Sequence, residues 1–273
     1  MLLDAPQRAA LLRQVVAIAE RAGEAILEVY GSVDVRATIK SDASPVTAAD
    51  LRANQLIVDA LRQLAPSIPI LSEESAIAPF ATRRSWPLHW LVDPLDGTKE
   101  FLKRNGEFTV NIALIQQHVP LLGVVHIPVT NTTYSGIVGT GAWRRHARGE
   151  LGAIQVKVPA PAKPRVLGSR SHRGHSLDAF LAALGDYQLV TAGSSLKFCL
   201  LAEGSADLYP RMGPTSEWDT AAGQAVLEAA GGRVVTFAGQ ALRYNLRDDL
   251  LNPEFLALAD MTAGWLSLVT PHD

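Results

Sequence analysis

Residues 90–101 constrain the fold more than any other part of the sequence. They begin with an apolar run without alternation, residues 90–92, which predicts a strand buried on both faces. The run ends at Asp93 and Pro94, and because proline cannot continue a central ladder, we expect the chain to turn there. Asp93 through Asp96 have the residues of a type I turn, whose end Cα atoms would lie within ~7 Å of each other.

Such a turn would bring the carboxylates of Asp93 and Asp96 together at a buried strand end. At an effective dielectric of about 20, two charges ~4 Å apart repel by roughly 4 kcal/mol, so the pair is costly unless a cation lies between them. We therefore interpret the pair as part of a metal site. Residues 97–101 are predicted to begin a helix or tight loop whose free N–H groups would face an anion. The alternative, two aspartates that only cap a solvated loop, stays open on this spacing alone.

The composition limits the class of protein. The chain has 273 residues, 48% of them hydrophobic, and a formal net charge of −2. The hydrophobic content supplies a core for one large or two modest domains. The small net charge provides no basic field, which argues against a long nucleic acid as a partner. Cys199 is the only cysteine, which excludes an internal disulfide and indicates a buried thiol in a reducing compartment. No signal peptide or run of eighteen apolar residues is evident, so we expect a cytoplasmic protein without a transmembrane segment; peripheral association with the inner membrane stays open.

The N-terminal half is predicted to combine helices with an antiparallel sheet. Apolar residues recur at helical spacing over residues 4–28 and again after Asp50, behind a polar turn at residues 40–45. Thr47 and Asp50 have the spacing of a capping box, which is compatible with Asp50 also orienting a water. Strand-like runs within residues 107–138 predict an antiparallel meander.

A second short apolar strand is predicted at residues 68–71, and it is also followed by carboxylates. Because neighbours on a strand point to opposite sides, at most one of Glu73 and Glu74 is expected to reach a metal. The following residues 76–89 contain proline and arginine and are predicted to form a surface excursion.

A proline-rich segment at residues 159–164 predicts the boundary between an α+β domain, residues 1–160, and an α/β domain, residues 161–273. In the second domain, Ser194 and Lys197 lie at a predicted helix start, a suitable place for an anion, although serine is also a common cap. Asp219 lies at the start of another predicted helix, where capping alone would explain it.

Three motifs, in this order, resemble the inositol monophosphatase superfamily of lithium-sensitive, magnesium-dependent phosphomonoesterases. They are Leu71-Ser72-Glu73-Glu74, Asp93-Pro94-Leu95-Asp96-Gly97-Thr98 and Trp218-Asp219-Thr220-Ala221-Ala222-Gly223. Residues 99–101, 105–111, 193–199 and 208–211 are similar to the bacterial 3'(2'),5'-bisphosphate nucleotidase branch of sulfur assimilation. Inositol monophosphatases usually have Thr-Asn where this chain has Lys99 and Glu100.

The resemblance implies a layered αβαβα sandwich of the inositol monophosphatase and fructose-1,6-bisphosphatase type, an α+β domain joined to an α/β domain. It implies that two or three Mg2+ ions are bound, an ion that suits oxygen ligands. The implied ligands are Glu73, Asp93, Asp96, Asp219 and the carbonyl of Leu95. The implied catalytic residues, which would orient the attacking water and accept its proton, are Glu73, Thr98 and Asp50. The implied substrate-binding residues are Gly97, Thr98, Ser194, Lys197, Arg211 and Asp219.

The reaction that the resemblance implies is hydrolysis of adenosine 3',5'-bisphosphate to AMP and phosphate, with a small nucleotide bisphosphate as the substrate. No covalent nucleophile is required. The metal ligands alone do not separate this activity from that of an inositol monophosphatase or a broad sugar-phosphate phosphatase, and a non-catalytic nucleotide sensor is a third alternative. Lys197 and Arg211 would bind the second phosphate; the alternative is that both are solvated surface charges.

Overall fold

The structure is a computed structural model that describes residues 3–32, 37–39, 45–147, 149–168 and 175–269. Residues 40–44 of the predicted polar turn lie outside these ranges.

Helices occur in both halves of the described chain. The α-helices are α1 (Ala5–Tyr30), α2 (Ala48–Leu64), α3 (Phe80–Arg83), α4 (Thr98–Leu102), α5 (His175–Leu184), α6 (Leu196–Ala202) and α7 (Glu217–Ala229). Two short 3₁₀ helices, Met261–Ala263 and Trp265–Leu268, follow near the C-terminus.

The strands of the described residues form three sheets. They are β1 (Ala37–Ile39), β2 (Pro45–Thr47), β3 (Ile70–Ser72), β4 (Leu88–Asp96), β5 (Thr109–Gln116), β6 (Val119–Ile127), β7 (Thr132–Ile137), β8 (Gly141–His146), β9 (Gly152–Ile154), β10 (Arg165–Gly168), β11 (Gln188–Thr191), β12 (Leu208–Arg211), β13 (Arg233–Thr236) and β14 (Phe255–Leu258). The meander predicted within residues 107–138 is confirmed, because β5, β6 and β7 pair in sequence order as antiparallel neighbours. Strands β4, β8 and β9 extend it in the same antiparallel order, and β3 pairs parallel to β4 at the edge.

The second large sheet has the order β11-β10-β12-β14-β13. Strands β10, β11 and β12 are parallel, as the predicted alternation of strands and helices requires, whereas β14 runs antiparallel to both of its neighbours. The sequence analysis did not identify β13 and β14. The small β1-β2 pair is antiparallel.

The layers alternate helix and sheet, which confirms the predicted αβαβα sandwich. On the outer face of the seven-stranded sheet, α1 and α2 pack through a core that includes Ile26, Ile57 and Trp90. Its inner face shares a second core with α6, α7 and the five-stranded sheet. Helix α5 covers the far face of that sheet through a third core, with Phe180 packed among its strands. Since the middle core joins both halves of the chain, the division at residue 160 stays a prediction.

Helix α7 lies unusually close to the seven-stranded sheet because glycine faces it. A Cβ atom at Gly123 in β6 would lie 2.5 Å from the carbonyl oxygen of Ala222, and one at Gly136 in β7 would lie 2.8 Å from the Cβ of Ala229. Any larger residue would push the helix away from the sheet. This close approach sets the position of the first turn of α7, which carries Asp219.

Two local predictions were wrong. Strand β4 does not end at Asp93, and no type I turn follows: the strand continues through Asp96, with a bulge against β5. The surface excursion at residues 76–89 contains α3 and two buried side chains, Arg83 and His89. The guanidinium of Arg83 donates a hydrogen bond to Asn245 Oδ1 across the fold, which offsets part of the cost of burying its charge.

Candidate functional site

Three carboxylates meet in one cluster at the end of β4. Oxygen atoms of Asp93, Asp96 and Asp219 all lie within 4.8 Å of one another. Asp93 is buried, and the other two are partly exposed. The structure therefore brings together the two aspartates of the central motif and the aspartate of α7, 123 residues later in sequence than Asp96.

A β-bulge, and not a turn, places Asp93 and Asp96 side by side. Residues three apart on a regular strand point to opposite faces of the sheet. Here Asp93 pairs with Asn111 and Asp96 pairs with Thr109, so two residues of β4 oppose one residue of β5. The extra residue reverses the alternation, and both carboxylates face the same side.

Asp219 combines a capping role with its place in the cluster. It is the third residue of α7, and its Oδ2 accepts bonds from the Ser216 N–H at 2.9 Å and the Thr215 hydroxyl at 2.8 Å. These contacts complete a capping box with Ser216. The cap fixes the side chain at the helix start, so the capping and the metal-binding interpretations are compatible.

Glu73 borders the cluster from the neighbouring strand. Its N–H donates to the carbonyl of Val92 at 3.2 Å, which continues the β3-β4 pairing by one residue. The carboxylate of Glu73 is hydrogen-bonded to Asp93 and contributes to the upward shift of the pKa of Asp93. Glu74 continues away from the strand, and its carbonyl accepts a bond from Asn54.

The charges of the cluster lack a compensating cation among the described residues in contact with it. Burial, and then the charges of Glu73, Asp96 and Asp219, raise the pKa of Asp93 well above its usual range. Burial and the charge of Asp96 also raise the pKa of Asp219. Oxygen donors that repel one another in this way fit a hard divalent cation, which would relieve the repulsion.

Asp50 and Thr98 meet beside the cluster. Asp50 Oδ2 accepts bonds from the N–H of Thr47 at 2.8 Å and from its hydroxyl at 2.6 Å, which confirms the predicted capping box of α2. Asp50 Oδ1 accepts a bond from the Thr98 hydroxyl at 3.0 Å. The same hydroxyl lies 3.4 Å from the carbonyl oxygen of Leu95, a proposed metal ligand. Burial raises the pKa of Asp50.

Gly97 turns the chain from β4 into α4, as the predicted helix start requires. Its φ of 93° lies in the left-handed region, and a Cβ there would lie 3.2 Å from the carbonyl oxygen of Glu107. Thr98 is the first residue of α4, so its N–H belongs to the first turn, which has no acceptor within the helix.

Ser194 contacts the cluster directly. Its hydroxyl donates to Asp96 Oδ2 at 2.8 Å and lies 2.6 Å from the hydroxyl of Thr109. The residue has a φ of 53°, a left-handed conformation that turns the chain into α6. The hydroxyl thus has partners within the protein and lies beside the cluster.

Lys197 is buried, so the alternative of a solvated surface charge is wrong for this residue. The residue is 5% exposed. Nζ donates to the carbonyl of Ser194 at 2.7 Å and lies 5.2 Å from the centre of the Tyr209 ring. The amine contacts the backbone of Ser194, and the structure does not bring it into contact with the three aspartates.

Arg211 is partly exposed at the end of β12. Nε donates to the carbonyl of Gly213 at 3.1 Å, and the guanidinium also donates to the carbonyl of Pro214. The side chain therefore lies along the loop that leads to α7 and contacts that loop and not the acidic cluster.

The sequence analysis missed three residues behind Asp96, namely Thr109, Asn111 and Ser195. All three are buried, and Ser195 and Asn111 reach Asp96 Oδ2 through hydrogen bonds. A signal for two of them existed. Thr109 and Asn111 are polar residues two apart at the start of a strand that is apolar from there to Ile115, which places both on one face of β5.

Comparisons with known proteins give a consistent result. Residues 8–268 match the model of a family described as the inositol monophosphatase family. Proteins named "3'(2'),5'-bisphosphate nucleotidase CysQ" from Shigella flexneri and from Escherichia coli strain K12 are each 52% identical over 246 residues, covering 90% of this chain and 98% of theirs.

A solved structure agrees with the sequence relatives. The crystal structure of CysQ from Bacteroides thetaiotaomicron, described as a bacterial member of the inositol monophosphatase family, superposes with a TM-score of 0.80 at 41% identity. It covers 91% of this chain and 97% of that chain. In the described ranges, no helix of this chain has both the length and the apolar character to span a membrane.

Proposed function

The chain belongs to the inositol monophosphatase family, and we propose that it is a 3'(2'),5'-bisphosphate nucleotidase that hydrolyses adenosine 3',5'-bisphosphate to AMP and phosphate. The observation that carries this proposal is the cluster of Asp93, Asp96 and Asp219, three carboxylates without a compensating cation among the described residues that contact them. The high identity to relatives named for this activity supports the choice of substrate.

We propose that the cluster holds two or three Mg2+ ions. The ligands would be Glu73, Asp93, Asp96, Asp219 and the carbonyl of Leu95, a set of oxygen donors only, which suits Mg2+. When bound, such ions supply an activated water and neutralise the charge that develops on the phosphate oxygens.

The chain's own residues would orient the reaction. Because the Thr98 hydroxyl donates its hydrogen to Asp50, its lone pair is free to accept a hydrogen bond from the attacking water. Burial makes Asp50 a better proton acceptor, and Glu73 would hold the water from the other side. The N–H groups of Gly97 and Thr98, where α4 begins, would bind the phosphoryl oxygens.

Substrate choice is proposed to depend on the C-terminal half. A bisphosphorylated nucleotide carries a second phosphate that the metal ions cannot also neutralise, so a nucleotidase needs cations away from the cluster. Lys197 and Arg211 are the candidates, with Ser194 and Asp219 at the border between this region and the cluster. Both cations have donors beyond the backbone bonds described above.

We place the enzyme in the cytoplasm as part of the same proposal. The single cysteine, Cys199, is free and buried, and burial raises its pKa well above the usual range, so the thiol is protected.

A phosphate-release assay with a small substrate panel tests the proposed activity. We expect rapid release from adenosine 3',5'-bisphosphate and much slower release from inositol 1-phosphate and from sugar phosphates. Equal rates across the panel would favour a broad phosphatase, a preference for inositol 1-phosphate would favour an inositol monophosphatase, and binding without release would favour a sensor. Each of these three results would overturn the nucleotidase assignment.

A further inference from the structure

One oxygen of Asp96 is already saturated with donors from the protein. Oδ2 accepts bonds from the N–H of Ser195 at 2.7 Å, the Ser194 hydroxyl at 2.8 Å and the Ser195 hydroxyl at 3.0 Å. Asn111 Nδ2 lies at 3.4 Å from the same oxygen. None of the donors found among the described residues reaches Oδ1. The protein thus reserves one oxygen of Asp96 for internal bonds and leaves the other available.

Ser195 connects two of the clustered aspartates. Its hydroxyl lies 3.0 Å from Asp96 Oδ2 and 2.5 Å from the carbonyl oxygen of Asp219. The hydroxyl also accepts a bond from Asn111 Nδ2 at 2.9 Å, so its single hydrogen is shared between the two aspartates, with the shorter contact to the carbonyl of Asp219. Ser195 therefore fixes the end of β4 relative to the first turn of α7.

Asn111 and Thr109 orient this connection from β5. Asn111 is the ladder partner of Asp93, and Thr109 is the ladder partner of Asp96. The Thr109 hydroxyl lies 2.9 Å from Asn111 Oδ1, which fixes the amide with its Nδ2 toward Ser195. Because Thr109, Asn111 and Ser195 are fully buried, water does not compete for these bonds.

We propose that Ser195 and Asn111 are positioning residues that turn Oδ1 of Asp96 toward the metal and hold Asp219 at the matching distance. This inference rests on the proposed function, because it assumes that the cluster binds metal. Residues that orient metal ligands in this way typically change metal affinity by about 10- to 100-fold when they are removed. The ligands themselves remain in place in such variants.

The test measures metal binding without substrate. Mn2+ is titrated into the metal-free protein, and binding is followed by calorimetry and by loss of the free-ion electron paramagnetic resonance signal. We expect Ser195→Ala and Asn111→Ala to weaken Mn2+ binding by about 10- to 100-fold. Circular dichroism should show an unchanged secondary structure in both variants.

A matched pair of threonines separates positioning from packing. Thr109 and Thr133 are both buried strand residues with hydrogen-bonded hydroxyls in the seven-stranded sheet, but the Thr133 hydroxyl contacts Glu20 and His126. Both valine variants, Thr109→Val and Thr133→Val, should lower the melting temperature, whereas only Thr109→Val should weaken Mn2+ binding.

The outcomes are distinguishable. If the wild-type protein binds Mn2+ and the Ser195, Asn111 and Thr109 variants bind it within about twofold of wild type, the positioning role is wrong and the proposed function stands. Equal weakening in Thr133→Val would also overturn the positioning role, because a general loss of packing would then explain the effect. If the wild-type protein binds no Mn2+, the proposed metal site fails, and the positioning role fails with it.

Discussion

The hydroxyl of Thr98 donates a hydrogen bond of 3.0 Å to Oδ1 of Asp50, 48 residues earlier in the chain. The other oxygen of Asp50 caps α2 through Thr47. One carboxylate thus joins the cap of α2 to the first residue of α4, and its two oxygens have separate partners. Mutation of Thr47 or of Thr98 should therefore affect separately the two roles of Asp50, the capping of α2 and the proposed orientation of the attacking water.

We expect Thr98→Val to lower kcat by about 100-fold or more while leaving the free energy of unfolding near that of wild type. The hydroxyl is proposed to align the water, and the loss of such proton-transfer alignment typically lowers the rate by about 10²- to 10⁴-fold. Thr47→Ala should do the reverse, with a loss of about 1 kcal/mol of stability from the removed cap and a smaller effect on rate. Steady-state kinetics and urea unfolding measure both. A Thr98→Val enzyme with unchanged kcat would contradict the assignment.

Asp96→Asn is expected to nearly abolish turnover and to leave the fold intact. Because Oδ2 of Asp96 faces several donors, the amide oxygen of asparagine should take its place. The amide NH₂ would then point toward the metal, where it cannot act as a ligand. Loss of an interaction made in the transition state should lower kcat and kcat/KM together. An unchanged kcat in a correctly folded Asp96→Asn variant would contradict the assignment of Asp96 as a metal ligand.

Substrate choice gives a third prediction. Arg211→Ala and Lys197→Ala should raise KM for adenosine 3',5'-bisphosphate by about 10- to 150-fold, the equivalent of ~1.5–3 kcal/mol for a charged hydrogen bond. The effect on a monophosphate substrate should be much smaller. Because Lys197 is buried, Lys197→Met is the control that retains the aliphatic part of the side chain. Equal increases in KM for both substrates would show that Lys197 and Arg211 do not determine substrate choice, and would favour the inositol phosphate alternative.

The pH dependence of stability should depend on His126. Burial lowers the pKa of this histidine to about 4. The usual value in an unfolded chain is about 6.5, so the unfolded state binds more protons between these two values. The contribution of the neutral, buried His126 to the free energy of unfolding is therefore complete above about pH 6.5. As the pH falls toward 4, the free energy of unfolding decreases by about 3 kcal/mol in total.

A buried and an exposed histidine can be compared directly. Urea unfolding between pH 7 and pH 4.5 should show a shallower loss of stability for His126→Gln than for wild type. His146→Gln, at an exposed position, is the matched control and should follow the wild-type slope. Identical slopes for His126→Gln and wild type would show that His126 is not kept neutral by the fold.

The helices, and through the family resemblance the layers of this fold, were predicted better than the local geometry of the site. Helical periodicity, the capping box of α2 and the capping aspartate of α7 depend on neighbouring residues, so they are visible in the sequence. The bulge in β4 depends on how β4 pairs with β5, and a turn motif such as Asp-Pro-x-Asp cannot show that pairing. Motif spacing led to the correct expectation that Asp93 and Asp96 converge, by a different backbone geometry.

The buried Lys197 shows a second limit of the sequence analysis. Composition favours an exposed lysine, because a buried charge is costly unless it is paired. Here the carbonyl of Ser194 and the ring of Tyr209 surround the amine. Ser194 precedes α6 by two residues, whereas Tyr209 belongs to β12 and comes near the amine only when the chain folds, so this burial is not visible in the local sequence. Ser195 was missed for the same reason, since its two aspartate partners are distant in the chain.

Metal dependence of phosphate release tests the central claim most directly. The purified protein is stripped with a chelator, and release from adenosine 3',5'-bisphosphate is measured as Mg2+ is added back, then with Ca2+ in place of Mg2+ and with Li+ added. We predict no activity without metal, full recovery with Mg2+ and inhibition by Ca2+ and Li+, because Ca2+ takes more ligands at longer distances and would misplace the water and the leaving group. Full activity in excess chelator, or equal rates with Ca2+, would contradict the account.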